Sequence, residues 1–312
     1  MNLDVIRSCA ERPEPRRLFE AVSLSLEGND DAKAEICGAM IWASFAAPSS
    51  IPVVFDLIFG PRNKISDQNS LGKVLETDLP EGFWHAFRST LVGPENGYDA
   101  SSITLAVASL NLFLDPRYAE LSECAAKEHP GAAGASKKKI PPMLSMKELK
   151  SQPVGSLAGD LHDMWLDNGF DPEVLDRDAI GLRGLAPSLR YLNTRILQMH
   201  DVWHLMAGYQ TTSLHEMAIS AFQLAQFGHN YSAMFLSTVC TMSLLKEPIG
   251  FIIVLQNIAE AWQHGCQSPA FMAIDWEKVW HMDIESLRVK YGIRPFSGSF
   301  PADLLEKFAN KT

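Results

Sequence analysis

The segment His200-Asp201-Val202-Trp203-His204 sets two imidazoles four residues apart. On a helix at about 100° per residue they lie about 40° apart on one face, with Asp201 about 60° from His204. Zinc-binding helices use this i, i+4 pair to offer two nitrogens to one ion. The protease form of that motif needs a glutamate at its second position as general base. The shorter Asp201 stands there, which argues against protease chemistry. Glu216, twelve residues past His204, is the candidate fourth donor. A straight helix would carry it roughly 18 Å away, so it reaches the same ion only if the chain reverses. Gly208-Tyr-Gln-Thr-Thr-Ser213 supplies the turn, with Gly208 free to take positive φ. Two nitrogens and two carboxylates suit zinc, iron or manganese and do not choose among them. A blander reading stays open: Ser213-Leu-His-Glu216 is also a capping box, and the histidine pair can be structural. His215, His229, His264 and His281 are isolated and read as structural.

Presenting these groups requires helices. Apolar periodicity predicts helices over 188–207, 214–227, 231–246 and 249–264, punctuated by Gly208, Gly228, Pro248 and Gly265. Upstream, 31–47, 102–114 and 155–168 are helix-compatible, and a last helix is expected over 276–290. Residues 251–255 are ambiguous with a strand. Between residues 60 and 94, Gly60-Pro61, Gly72, Pro80 and Gly93-Pro94 leave the structure unassigned. The stretch 128–142, EHPGAAGASKKKIPP, reads as a flexible surface segment. The expected fold class is all-α: a helical bundle with a metal site between two consecutive helices, plus an N-terminal extension of helical character. Residues 1–100 form that extension, of unknown role, and 101–312 the metal-binding domain. From 217 to 262 only Lys246, Glu247 and Glu260 are charged. Core packing is the default reading of this stretch. The alternative is a long apolar cavity with Met217, Met234 and Met242 as deformable lining.

With 312 residues and a net charge of −10, the chain gives no electrostatic case for a nucleic-acid partner. The five cysteines are odd in number, widely spaced and free of CxxC pairs, which fits a reducing compartment. The N-terminus, MNLDVIRSCAERPEPRR, reads as neither signal nor transit peptide, so a cytoplasmic location is expected. The apolar stretches 36–55 and 230–245 read as buried helices rather than membrane spans. Peripheral contact with an anionic membrane stays open through Lys137, Lys138 and Lys139.

Arg190-Tyr-Leu-Asn-Thr-Arg195 followed by HDVWHLMAGYQTTSLHE resembles the ubiquinone (coenzyme Q) biosynthesis protein 4 family, marked by HDxxH, eleven residues, then Glu. The resemblance continues through Ala221–Gly228, Asp275-Trp276-Glu277, Leu287-Arg288 and Tyr291-Gly292-Ile293. Upstream it takes in Leu114-Asp-Pro-Arg117, Gly155-Ser-Leu and Asn168-Gly-Phe-Asp-Pro172. It covers roughly 102–293. It implies an all-helical fold and a divalent metal, usually described as zinc, held by His200, Asp201, His204 and Glu216. It further implies action on a polyprenylated aromatic ring in ubiquinone assembly at a membrane, with replacement of the C1 carboxyl by hydroxyl. Partners implied are other ubiquinone-biosynthesis proteins, with a homo-oligomer left open. A non-catalytic prenyl-lipid scaffold, or action on another isoprenoid-linked substrate, is the competing reading. Such proteins carry a small residue before the metal-site glutamate, where this chain has His215; crowding, extra ligation and proton carriage are the open roles for it. Arg190 and Arg195 precede the motif as candidate carboxylate contacts, or as members of structural ion pairs.

Overall fold

The computed structural model describes residues 1–61, 71–169, 177–178 and 181–309, and among these it contains helices and no strand. The helices are α1 (Leu3–Ser8), α2 (Pro15–Leu26), α3 (Asp30–Phe45), α4 (Ile51–Phe59), α5 (Glu81–Val92), α6 (Ala100–Ser109), α7 (Arg117–Glu128) and α8 (Met146–Lys150). They continue with α9 (Leu157–Asn168), α10 (Pro187–Ala207), α11 (Ser213–Phe227), α12 (Asn230–Lys246), α13 (Pro248–Gln267), α14 (Ile284–Tyr291) and α15 (Leu304–Ala309). The all-α expectation holds, and 251–255 is helical within α13.

Two ends define α10, the helix that carries the histidine pair. Pro187 occupies its first turn, where a missing N–H costs nothing. The buried carboxylate of Glu123 on α7 accepts from the free N–H groups of Ser188 and Leu189, each at 3.1 Å. Burial opposes that charge, but the backbone donors outweigh it and hold Glu123 below the usual carboxylate range. At the other end Gly208 takes φ +79° and reverses the chain. The Arg288 guanidinium covers the last carbonyls, donating to Leu205 O at 2.8 Å and Met206 O at 3.1 Å.

The helix pair α11 and α13 packs closely because Gly265 has no side chain. A Cβ there would lie 2.8 Å from the Phe222 carbonyl and 2.8 Å from Ala225 Cβ. Gly265 is therefore a packing residue inside α13 and not the helix stop expected from the sequence.

Two further expectations are corrected. Residues 276–290 are not one helix: a short 3-10 turn, Trp276–Lys278, is followed by a break before α14. Asp283 starts α14 anew by accepting from Ser286 N at 2.8 Å. The 128–142 stretch lies at the surface as expected, but part of it is ordered and docked. It forms 3-10 turns at Pro130–Ala132 and Ala135–Lys137, and buried Ala132 and Ala135 dock on Tyr191 and Leu192 of α10. Gly131 has no room for a side chain, since a Cβ there would run into the Gln226 carbonyl of α11.

One hydrophobic core runs from Leu3 to Ile293 and includes α1 through α5. From Ile36 to Phe45 α3 is buried on all sides, as a helical stretch without a charged side chain must be. It is tied to α12 by Ser44 Oγ to Ser237 Oγ at 2.8 Å and by Ser237 Oγ donating to Met40 O at 3.0 Å. No helix among the described residues is long and apolar enough to cross a membrane. All five cysteines are free thiols.

Candidate metal centre and its cavity

The Gly208 reversal brings Glu216, in the opening turns of α11, back over the histidines of α10. His204 Nε2 lies 3.3 Å from Glu216 Oε1, and His200 Nε2 lies 3.6 Å from Glu216 Oε2. His200, Asp201 and His204 offer ligand atoms all within 4.8 Å of one another. The four residues named from the spacing thus meet at one place.

The surroundings decide what each can do. His204 Nδ1 lies 3.2 Å from the Tyr209 carbonyl, which can only accept, so the ring hydrogen sits on Nδ1 and the Nε2 lone pair faces Glu216. That Nε2 is buried and has no hydrogen-bond partner. His200 Nδ1 lies 3.2 Å from Asp201 Oδ1, which fixes its ring the same way. The other carboxylate oxygen, Asp201 Oδ2, accepts from Trp165 Nε1 at 2.6 Å. Both oxygens of Asp201 therefore already hold partners, and this carboxylate orients His200.

Burial and charge compete here. Burial would lower His200, but the Asp201 hydrogen bond and the charges of Glu216 and Asp201 outweigh it and raise this histidine. Burial would raise Asp201 and Glu216, but the neighbouring imidazoles hold both below the ordinary carboxylate range. An orphaned buried imidazole nitrogen, a second nitrogen freed by its tautomer and a carboxylate between them fit a divalent cation of the zinc or iron type.

Glu216 does not cap its own helix. Thr212 is the N-cap and its side chain makes no capping bond. The work is done from 93 residues later, where Glu306 Oε1 of α15 accepts from Ser213 N at 2.8 Å. Asn257 of α13 braces the same turn by donating to Leu214 O at 2.9 Å. Glu216 is thereby free to face the histidines.

His215 is not brought into the donor set. Its Nδ1 accepts from Gln210 N at 2.8 Å, and its ring packs edge-on to Tyr209 and Phe296. It clasps the reversal loop. His264, read as isolated in sequence, belongs to the same support: its Nδ1 lies 2.7 Å from Tyr209 Oη and its Nε2 donates to Arg294 O. Arg195 forms a two-pronged ion pair with Glu277, the second prong at 3.0 Å. It lies outside the cavity, as does Arg190. Trp165, His264 and Glu306 were missed from sequence because each acts from a distant part of the chain, and Tyr209 because it acts on His204 through its backbone carbonyl, which leaves no mark in residue type.

Beside the centre lies a cavity of about 1690 Å³, well above the range of about 300–1,000 Å³ usual for small-molecule sites. Its wall includes His200, Asp201, Glu216 and Trp165, and continues along apolar Ile196, Leu197, Met217, Met234, Val239 and Met242. The three methionines proposed as a deformable lining all line it. Of the family-like segments, Ser156 caps α9 by accepting from Gly159 N, and Asp115 accepts from Arg117 N at the start of α7. Residues 170–172 of the Asn168–Pro172 segment lie outside the described residues.

The sequence model of the family described as Coenzyme Q (ubiquinone) biosynthesis protein Coq4 matches residues 137–297. The mitochondrial ubiquinone biosynthesis protein COQ4 homologue of Rattus norvegicus is 24% identical over 165 residues, covering 49% of this chain and 56% of that protein. Its counterpart in Drosophila ananassae is 26% identical over 158 residues, covering 48% and 54%. The chain thus spans about half the length of the curated relatives it matches. In fold it is similar to the crystal structure of a protein from Nostoc punctiforme described as a ubiquinone biosynthesis protein, with TM-score 0.52 and 20% identity, covering 68% of this chain and 97% of that one. With the family's sequence model spanning more than half its length, the chain belongs to the Coq4 family of coenzyme Q (ubiquinone) biosynthesis proteins.

Proposed function

We propose that the protein binds a polyprenylated aromatic intermediate of ubiquinone assembly in this cavity and replaces the ring's C1 carboxyl with hydroxyl. The observation that carries the reading is the continuity of the cavity: one wall holds His200, Asp201 and Glu216, and it runs on without a break past a largely apolar stretch that includes Ile196, Leu197, Met234, Val239 and Met242.

His200, His204 and Glu216 would hold the metal ion, zinc by family resemblance, with Asp201 and Trp165 fixing the His200 ring. When bound, the ion would polarise ring oxygens and stabilise charge left as carbon dioxide departs. The chain's own groups do the rest. The apolar walls hold the tail, and their low polarity strengthens charge interactions at the ring. The Asp201 carboxylate keeps the His200 ring turned so that its Nε2 faces the ion's place. The overall change is a two-electron oxidation. The ring carboxyl leaves as carbon dioxide, water supplies the new hydroxyl, and dioxygen takes the two electrons and two protons to give hydrogen peroxide. A redox-inert ion such as zinc requires the electron-rich ring itself to supply those electrons.

The test is metal-replete protein given a carboxyl-labelled polyprenyl hydroxybenzoate under air. Labelled carbon dioxide and the ring-hydroxylated product in equal amounts are expected. Tail binding with neither product would leave a lipid-binding scaffold of the biosynthetic assembly. Further proposals are contact with other proteins of that assembly and peripheral association with a membrane, from which such a lipid must be drawn.

A further inference from the structure

The face of α11 that begins with Glu216 continues along the cavity as Ser220 and Gln223, at helical steps of four and three residues. The face of α10 that carries His200 continues backwards through Ile196 and Asn193. Asn193 Oδ1 lies 3.0 Å from Nε2 of His229, which stands between the end of α11 and the start of α12. That bond shows α10 and α11 running antiparallel, so Asn193 and Gln223 sit at one level. Each is seven residues from its partner at the metal centre, about 10 Å along the helix.

At this level the wall turns from apolar to amide. Asn193 is satisfied, donating to Leu189 O and accepting from His229, whose Nδ1 pairs with Ser232 Oγ at 2.9 Å. Gln223 and Asn230 are not. Gln223 is 3% exposed, yet its amide nitrogen has no hydrogen-bond partner, and neither has that of Asn230. A buried amide left without a protein partner is a cost that a folded chain recovers from ordered water or a ligand.

Charge narrows the ligand. Among the described residues lining the cavity, Lys246 is the one ordinary cation, and it sits at the far end of α12, about 24 Å from Asn230. Its Nζ donates to Val92 O there. His229 is held neutral by burial, which pushes it down to about 3. A phosphate or carboxylate would find no counter-charge at the amide end. We infer that Gln223 and Asn230 form a subsite for an uncharged oxygen substituent of the ligand's ring, an ether, phenol or quinone oxygen, about two helical turns from the metal centre. The ring then lies between the amides and the centre, and the tail follows the apolar wall of Val239, Met242 and Ile253. This inference rests on the proposed use of the cavity for a prenylated ring.

The experiment compares binding of geranyl-dimethoxybenzene and geranylbenzene by titration calorimetry. The pair differs only in uncharged ether oxygens, which are poor metal ligands. Wild type is expected to bind the dimethoxy compound about tenfold more tightly, the increment of one good hydrogen bond. Gln223→Leu and Asn230→Leu should each reduce that preference severalfold while leaving geranylbenzene affinity unchanged. Because the Gln223 amide has no partner in the free protein, Gln223→Leu should not lower Tm. Equal affinity of wild type for both compounds, or a preference retained in both variants, would overturn the subsite while leaving the lipid cavity standing. Retained preference with a lower Tm in Gln223→Leu would assign that amide to packing and overturn its binding role. If neither compound binds, the cavity reading itself fails and the subsite falls with it.

Discussion

His204 gives its Nδ1 hydrogen to the Tyr209 carbonyl at 3.2 Å, one residue beyond the glycine that ends its own helix. The reversal that returns Glu216 to the histidines therefore also fixes which His204 nitrogen meets it. Orientation of one donor and delivery of another come from the same five-residue loop.

Gly208 is the position on which that loop turns. An alanine there must hold φ +79° and place its Cβ 2.9 Å from Pro295 Cβ. Gly208→Ala is expected to cost about 1–2 kcal/mol from left-handed strain alone, read as a fall of a few degrees in Tm by calorimetry. Metal content at fixed purification should fall with it, because His204 loses its set orientation.

Elemental analysis tests the centre directly. Wild type purified under mild conditions should carry stoichiometric metal, and Glu216→Ala should lose most of it. Asp201→Asn should retain a substantial fraction with about 10–100-fold weaker affinity, the usual effect of removing a group that orients a ligand. Stoichiometric metal in Glu216→Ala, or none in any of the three, would refute the assignment.

Histidine burial sets an acid response. Unfolded histidine titrates near 6.5, whereas His229 in the fold is pushed down to about 3 by burial. Below pH 6.5 the unfolded chain takes up a proton that the native site refuses, so stability falls as pH drops from 6.5 towards 3. His129, His215 and His264 are lowered by burial and act in the same direction, while the raised His200 opposes them. Melts of metal-free protein from pH 7 to 4.5 should show declining Tm, with a shallower decline in His229→Asn. Each pH unit below 6.5 removes up to about 1.4 kcal/mol for one fully neutral histidine.

The Arg195–Glu277 pair is unequal, with Arg195 buried and Glu277 half-exposed. Removing the carboxylate strands a buried guanidinium, whereas removing the guanidinium leaves a carboxylate that can turn to water. Glu277→Leu is expected to cost about 2–4 kcal/mol and Arg195→Met about 1 kcal/mol. Chemical denaturation of the two variants measures the difference, and equal costs would contradict it.

Local signals carried the donors and the helices on which they sit. The His200–His204 spacing, the glycine at 208 and the apolar periods over α10 to α13 are properties of a few consecutive residues. What sequence did not reveal is what holds the donors. Glu306 takes over the capping of α11 that Ser213 and Glu216 advertise, and Trp165 occupies half of Asp201. Neither leaves a local trace. Composition misled in part of 128–142, where Ala132 and Ala135 serve docking, and at Gly265, where the missing side chain serves packing rather than a stop. His229 read as an isolated histidine because one of its partners, Asn193, comes from another helix and the other, Ser232, is a common local contact.

The burial of α3 has a consequence for how the chain reaches its native state. Its tie to α12 joins Met40 to Ser237 across 197 residues, so this apolar rod is made early and housed late. During synthesis α1, α2 and α4 can pack on it early, but the face that meets α12 must wait for that later helix, and contacts of such long separation are slow to form. Until then that face, Met40 included, is sticky surface of the kind that engages chaperones or other nascent chains. The helix that anchors the finished molecule is thus also the stretch most exposed to misassembly while the molecule is being made.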